Sequence, residues 1–406
     1  MNVPNEPDAR DELNERNEPD APGERNGRSE ADLPNRRDGR NGRDEPDIAA
    51  ALERLGAGLR RLKGIGDAGD ADAVSDEIPF DEWDWEIGVG LYGELRRAET
   101  RGTDADLERI ERWYARQIAR GLPRRQVNST APMLALALLE RRRTGAAREL
   151  VRDWSEWLVT SLPRAGEGGF QHTVKERDND GELWDDTLFM AVLFVAVAGT
   201  LFERDDWIEE AHYQFLVHLR HLGDVESGLF FHGWTFRGRH HFARARWCRG
   251  NAWITLAIPE LFRLAPPAGA VRRQLASAYR TQAKALRGLQ REDGMFHTLL
   301  DDATSPVEAS GTAGIACGLL GGLREGLLDA GFREPVARAR AAILARIGED
   351  GLLADVSDGT PMGRDLDFYR RIPNLPTPYG QALASLFLIE SLADGANGVR
   401  TARRSG

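Results

Sequence analysis

Gly181-Glu182-Leu183-Trp184-Asp185-Asp186-Thr187-Leu188-Phe189-Met190-Ala191 sets two adjacent carboxylates beside a tryptophan, at the start of an apolar run that continues to Gly199. A run of that length, with no period-2 alternation, reads as a buried helix. Charges are costly to bury unless they are paired or hydrogen-bonded, so two carboxylates at the mouth of such a helix need a reason. Capping accounts for one of them, because Asp favours the N-cap and its charge suits the positive end of the helix. The other is left for chemistry.

Outward from this stretch, helix follows helix. Apolar spacing predicts helices near 48–62, 83–98, 104–119, 129–143, 145–161, 185–200, 204–221, 249–264, 268–289, 309–328, 332–347 and 378–393. Gly228-Leu229-Phe230-Phe231-His232 and Gly294-Met295-Phe296-His297 read as short extended pieces. The connections carry more information than the helices. Short ones (98–103, 143–145, 200–204, 264–268, 328–332) demand antiparallel neighbours. Long ones (63–82, 120–128, 162–184, 222–248, 290–308, 348–377) all follow odd-numbered helices, so in an up-down array they share one end. Six hairpins with one elaborated end predict an all-α fold, the (α/α)6 barrel. A HEAT-like solenoid is the structural rival, but it carries a fixed period of about 40–47 residues and uniform loops. The loops here are unequal and rich in His, Trp and Arg.

Residues 1–46 are Asp, Glu, Arg, Asn, Gly and Pro with almost no large apolar side chain. Such a segment cannot offset its ordering entropy, so a disordered tail is expected there, with the barrel domain over 47–400. The 406-residue chain carries 54 basic and 65 acidic side chains, a net charge of -11. That balance argues against a nucleic-acid partner. Two cysteines, Cys248 and Cys317, imply no disulfide framework. No apolar run reaches membrane-spanning length, and the first residues have no apolar signal core. A cytoplasmic monomer or homodimer is the expectation.

The first turns of the even-numbered helices hold the unusual residues. These are Trp83, Trp85 and Tyr92; Asn128; Asp185 and Asp186; Trp247, Arg249, Asn251 and Trp253; Glu308, Ser310 and Thr312; and Tyr379. In the predicted array all of them point to one pocket at the loop end. Trp and Tyr offer flat apolar faces with polar edges, which suits stacking on a pyranose ring. Arg249 offers a planar fork for a carboxylate. His172, His232 and His297, each in a long loop, add donors near neutral pH. A sugar acid fits this set. Phe189, Phe194 and Phe215 read as core, and His212, His218, His221, His240 and His241 as surface groups. Cys248 in Trp247-Cys248-Arg249-Gly250 superficially resembles the zinc-binding lanthionine cyclases, but their Cys-His pair is missing, since Cys317 is followed by Gly318. No metal is expected. No strand–turn–helix unit exists to carry a phosphate or dinucleotide fingerprint, so no cofactor is expected either.

Four motifs occur in order: Trp184-Asp185-Asp186-Thr187-Leu188-Phe189-Met190, Phe231-His232-Gly233-Trp234, Trp247-Cys248-Arg249-Gly250-Asn251-Ala252-Trp253 and Glu308-Ala309-Ser310-Gly311-Thr312-Ala313. Together they resemble the unsaturated rhamnogalacturonyl hydrolases of glycoside hydrolase family 105, relatives of the unsaturated glucuronyl hydrolases of family 88. The resemblance covers most of the chain after the tail. It implies an (α/α)6 barrel acting on pectin- or glycosaminoglycan-derived oligosaccharides whose non-reducing uronic acid carries a C4=C5 double bond. It puts the catalytic Asp on Asp186, leaves Asp185 at a variable position, and sets His232, Trp247, Arg249 and Asn251 around the unsaturated ring. Trp184, Asp185, His172, Trp253, Trp85 and His297 complete the expected binding set. A second Asp found in the family before the fourth helix is not evident, and Asn128 occupies that region. The implied chemistry is hydration of the double bond by one carboxyl acting first as acid, then as base. Two other readings stay open at this point. One is another (α/α)6 carbohydrate enzyme: an inverting glycosidase using Asp186 with Glu308, or a sugar epimerase with His on both ring faces. The other is a non-enzymatic helical scaffold whose tail binds a partner.

Overall fold

The computed structural model describes residues 41–62, 82–101, 103–143 and 145–404. Its helices are α1 (Asn41–Leu62), α2 (Trp85–Arg101), α3 (Asp104–Arg120), α4 (Val127–Arg142), α5 (Arg148–Thr160), α6 (Leu193–Phe202), α7 (Asp205–Leu222), α8 (Cys248–Leu264), α9 (Gly269–Leu289), α10 (Ala309–Arg324), α11 (Arg333–Leu344), the short α12 (Leu366–Arg370) and α13 (Pro378–Arg404). Helices α2, α4, α6, α8, α10 and α13 pack each on the next, and α13 returns to α2. Outside this ring α1 lies on α13, α3 on α2, α5 on α4 and α6, α7 on α6, α9 on α8, and α11 on α10. This is the (α/α)6 barrel. The closed ring rules out a solenoid, whose first and last helices do not meet. Among the described residues no helix is long and apolar enough to cross a membrane.

Ring position follows from hydropathy. Inner helices are apolar all round: α4 and α8 bury nearly every residue. The outer α3 buries only the stripe Leu107, Ile110, Trp113, Tyr114 and Gln117. Residues 1–40 of the expected tail, and positions 63–81 of the long connection expected after the first helix, lie outside the described residues. Helix α1 starts at Asn41 with Pro46 inside it, ahead of the start expected at Ile48.

Two helices of the ring touch through glycine. A Cβ built on Gly318 of α10 would lie 2.3 Å from the Thr255 carbonyl oxygen of α8. Backbone cannot yield there as a flexible side chain would. Gly318→Ala is therefore expected to cost about 1–3 kcal/mol, the range for overpacking a dense core. A urea midpoint within error of wild type would show that α8 and α10 do not sit this close.

The end of the ring away from the long loops is closed by buried charge. The Tyr92 hydroxyl donates to Glu260, which also accepts from Arg263 at 2.7 Å. Arg96 donates to Glu390 at 2.6 Å, and Arg324 joins the same carboxylate. Tyr92, grouped by its spacing with the pocket residues, therefore belongs to the closed end: two turns into α2 it is on the right face but too deep. Trp83 is core as well. It stacks 5.7 Å from Trp113, and its Nε1 donates to the Ser129 carbonyl at 2.7 Å.

Candidate active site

The long loops are tied together by short strands. β1 (Glu182–Trp184) pairs antiparallel with β2 (Gly233–Thr235), and β3 (Phe296–His297) with β4 (Val307–Glu308). The extended piece expected at 228–232 is thus displaced to 233–235, while that at 294–297 is met by β3. The first pairing decides the site. It joins the loop before α6 to the loop before α8, and the Asp185 amide extends it by donating to the His232 carbonyl at 3.1 Å. The carboxyl pair leaves β1 facing His232. The chain then enters the inner helix through a π-helical turn, Leu188–Val192, rather than the regular α-helix expected from 185. Such turns are uncommon and recur at functional sites. No side chain caps this turn, so capping explains neither carboxylate.

Asp185 is completely buried, and neither of its carboxyl oxygens has a hydrogen-bond partner. Burial, then the like charge of Asp186, push its carboxyl far above the usual range. The Asp186 side chain is 18% exposed, which makes it the member of the pair that is open to solvent. Burial raises its carboxyl too, against the opposing pull of Asp185, Arg249 and the Trp253 indole. His232 Nε2 lies 3.8 Å from Asp186 Oδ2, while its Nδ1 shares a 2.7 Å hydrogen bond with the Tyr369 hydroxyl. Burial drives His232 well below its ordinary value, so the ring is neutral.

Trp184 is sandwiched. The His172 ring stacks on it at 4.4 Å and 7°, and His232 meets it edge-on at 5.3 Å. His172 Nδ1 bonds the Thr187 hydroxyl at 2.8 Å, and burial lowers its pKa to about 3. Trp184 and His172 therefore set the back wall and hold the Asp pair in register. Trp253 is fully buried against Phe189 at 5.3 Å, and half-buried Trp85 lies over it and over Tyr379. Trp85 is the open aromatic of this group.

Arg249 is 1% exposed and lies between the Trp247 and Tyr379 rings. Nη1 donates to the Ser357 carbonyl at 2.9 Å, and Nη2 donates to the Asp358 carbonyl at 3.1 Å and to Thr360 Oγ1 at 3.2 Å. The fork read from sequence as a carboxylate grip is thus already holding the loop before α13. Glu308 Oε1 lies 3.6 Å from Nη1. Glu308 itself caps α10, accepting from the Ser310 and Gly311 amides, and from the Ser357 amide at 3.1 Å. A fully buried carboxylate so occupied cannot also activate a water, which removes the Asp186–Glu308 inverting pair.

Three expected residues make their hydrogen bonds to groups other than the carboxyl pair. Asn251 is buried and straps the loop before α8, accepting from the Phe230 amide at 2.9 Å and donating to its carbonyl at 2.8 Å. His297 bonds the Ser305 carbonyl at 2.7 Å through Nδ1 and lies 3.1 Å from Arg291 through Nε2. Half-buried Asn128 sits in the first turn of α4, where its amide donates to the Gln126 side chain at 2.6 Å. His218, expected at the surface, is wholly buried on the α7 face that carries Ala211, Gln214, Phe215 and Leu222. Tyr369 was not singled out from sequence. Its only signal there is an aromatic pair, Phe368-Tyr369, within the last long loop.

Among the described residues, Asp185, Asp186 and His232 are the one grouping with coordinating reach, their candidate atoms lying within 4.8 Å of one another. Holding a divalent cation there would require Asp185 to ionise, which burial opposes. Cys248 and Cys317 are both buried thiols pushed upward by that burial.

The sequence pattern of Glycosyl Hydrolase Family 88 matches residues 69–393. The chain is 32% identical over 315 residues to the unsaturated rhamnogalacturonyl hydrolase YesR of Bacillus subtilis (strain 168), spanning 76% of this chain and 90% of that one. A solved structure described as a possible member of the GH105 family, from Salmonella enterica, superposes with a TM-score of 0.79 at 38% identity, over 86% of this chain and 94% of that one. The unsaturated glucuronyl hydrolase of Bacillus sp. GL1 shares the fold at 19% identity and a TM-score of 0.65, over 87% of this chain and 97% of that one.

Proposed function

The chain belongs to Glycosyl Hydrolase Family 88, and from that premise we propose that it removes a 4,5-unsaturated uronic acid from the non-reducing end of lyase-derived oligosaccharides by hydrating the C4=C5 bond. The observation that carries this reading is the placement of Asp186. It is the partly exposed member of a buried carboxyl pair, its oxygen is 3.8 Å from a neutral His232, and burial favours its protonated form. A protonated carboxyl near neutral pH is what a general acid requires.

In the first step the Asp186 O–H bond breaks and its proton joins C4, using the π electrons of the double bond. Positive charge develops at C5 and is shared with the ring oxygen. Water then forms a bond to C5 and gives its proton to the Asp186 carboxylate. The hemiketal produced opens and releases the shortened sugar. Only one carboxyl has to touch the reacting atoms, unlike the two at set separation in ordinary glycosidases. The Arg249 charge favours the uronate carboxylate, and Trp85 offers the open face for the ring. A groove of about 490 Å³, lined by Asp180, Glu182, Thr235, Arg237, His240, Phe242 and Arg364, lies beside the β1–β2 pair.

The test follows the ultraviolet absorbance of the conjugated double bond while the protein is mixed with lyase-digested pectin or glycosaminoglycan. Loss of that absorbance, with release of a saccharide one unit shorter, is the expected result. No loss on any digest would sink the reading.

A further inference from the structure

We infer that Asp185 is a positioning residue that shares a single proton with Asp186, so that the two carboxyls load and deliver that proton as one unit. The inference rests on the reading of Asp186 as the general acid. Its basis is the cage around Asp185. The side chain is fully buried with both oxygens unpartnered, so an ionised Asp185 would be an unpaired charge in apolar surroundings. It also cannot turn away. Its amide is fixed to the His232 carbonyl at 3.1 Å. A Cβ on residue 250 would come within 2.1 Å of Oδ2, so Gly250 leaves space for this carboxyl and little else.

The charged and titratable groups facing the pair are few. His232 is neutral and leaves Nε2 without a partner. Arg249 is committed to the loop at Ser357–Thr360, and the Tyr369 hydroxyl to His232. Asp186 is therefore the group with which Asp185 exchanges a proton. Two carboxyls in one low-dielectric site cannot both ionise easily, and they lose protons in two macroscopic steps that belong to the pair. Near neutral pH the pair carries one proton, which rests on the buried Asp185 and passes to Asp186 when substrate fills the site. Asp186 hands it to C4, and the resulting double negative charge is countered by Arg249 and the cationic C5. The proton released by the attacking water then returns to the pair.

The sign of the pH effect follows. Wild type stays active until the pair loses its last proton, and the like charge delays that loss to high pH. In Asp185→Asn the lone Asp186 carboxyl loses its proton earlier, so the alkaline limb of kcat/KM should move down by about one to three units. One unit above the variant's limb, its rate relative to wild type should have fallen roughly tenfold. Infrared spectroscopy of the unliganded protein gives a readout that needs no turnover. The protonated-carboxyl band should titrate in two steps in wild type, and in one step in both Asp185→Asn and Asp186→Asn. A limb that stays in place while kcat falls, or a single infrared step in wild type, would overturn the inference. If wild type ignores unsaturated uronides, the functional reading fails while the infrared titration still decides the pair.

Discussion

Asp186→Asn is expected to reduce turnover of an unsaturated oligosaccharide by about 10³-fold or more, some 4 kcal/mol of transition-state stabilisation. The amide fills the same space and keeps polar contact with its surroundings, but it cannot release a proton to C4 or take one from water. Both chemical steps fail together, so kcat should carry the loss while KM stays near wild type. Stability should hold. Asp186 lies at the loop end, whereas the barrel is fixed by the α8–α10 contact and by the Glu260 and Glu390 clusters at the other end. Removing a desolvated acid relieves a cost and leaves no charged partner unpaired. Stopped-assay rates, set beside thermal unfolding of the same preparation, check both halves. A variant within tenfold of wild-type kcat would exclude Asp186 as the acid.

What the sequence disclosed, and what it did not, divides by range. The helices were legible because each inner helix is apolar all round and each outer one carries a stripe. Alternation of short and long connections then fixed which ends share a side. Pairings between loops were not legible. Asp185 meets His232 through a strand pair whose members lie about fifty residues apart, and each strand is only three residues long. The Arg249 hydrogen bonds reach Ser357 across 108 positions, and the His232 bond reaches Tyr369 across 137. Local pattern carries no information at that distance. His218 is different, because its spacing from Ala211, Gln214, Phe215 and Leu222 marks the buried face of α7 and was available from the start. Tyr92 shows the limit of the same logic, since helical period gives the face but not the depth. Which of two adjacent carboxylates is reactive was likewise beyond periodicity; the family resemblance pointed to Asp186, and the exposure difference supports that choice.

Arg249→Lys carries the second large expectation, a rise in KM of about 10²-fold with a smaller fall in kcat. Lysine keeps the positive charge beside Asp186 and Glu308, so the buried Glu308 carboxylate is not stranded, which argues for this variant over Met. What lysine lacks is the fork. Three partners, the Ser357 and Asp358 carbonyls and the Thr360 hydroxyl, are held by two nitrogens in one plane between Trp247 and Tyr379. An ammonium ion presents its donors from a single point and does not stack as a plane. Two or three hydrogen bonds to a charged donor, each worth about 1.5–3 kcal/mol, cannot all be kept. The loop at 357–360 then loses its anchor, and the site must order it each time substrate binds. That cost appears in KM, because it is met before chemistry begins. Amide hydrogen exchange over Ser357–Thr360 should accelerate in the variant and slow again when a non-hydrolysed uronide is added. If KM rose while exchange in that loop stayed slow, the role of Arg249 would lie in direct contact with the uronate carboxylate rather than in holding the loop. If neither changed, the fork seen here would be dispensable to binding.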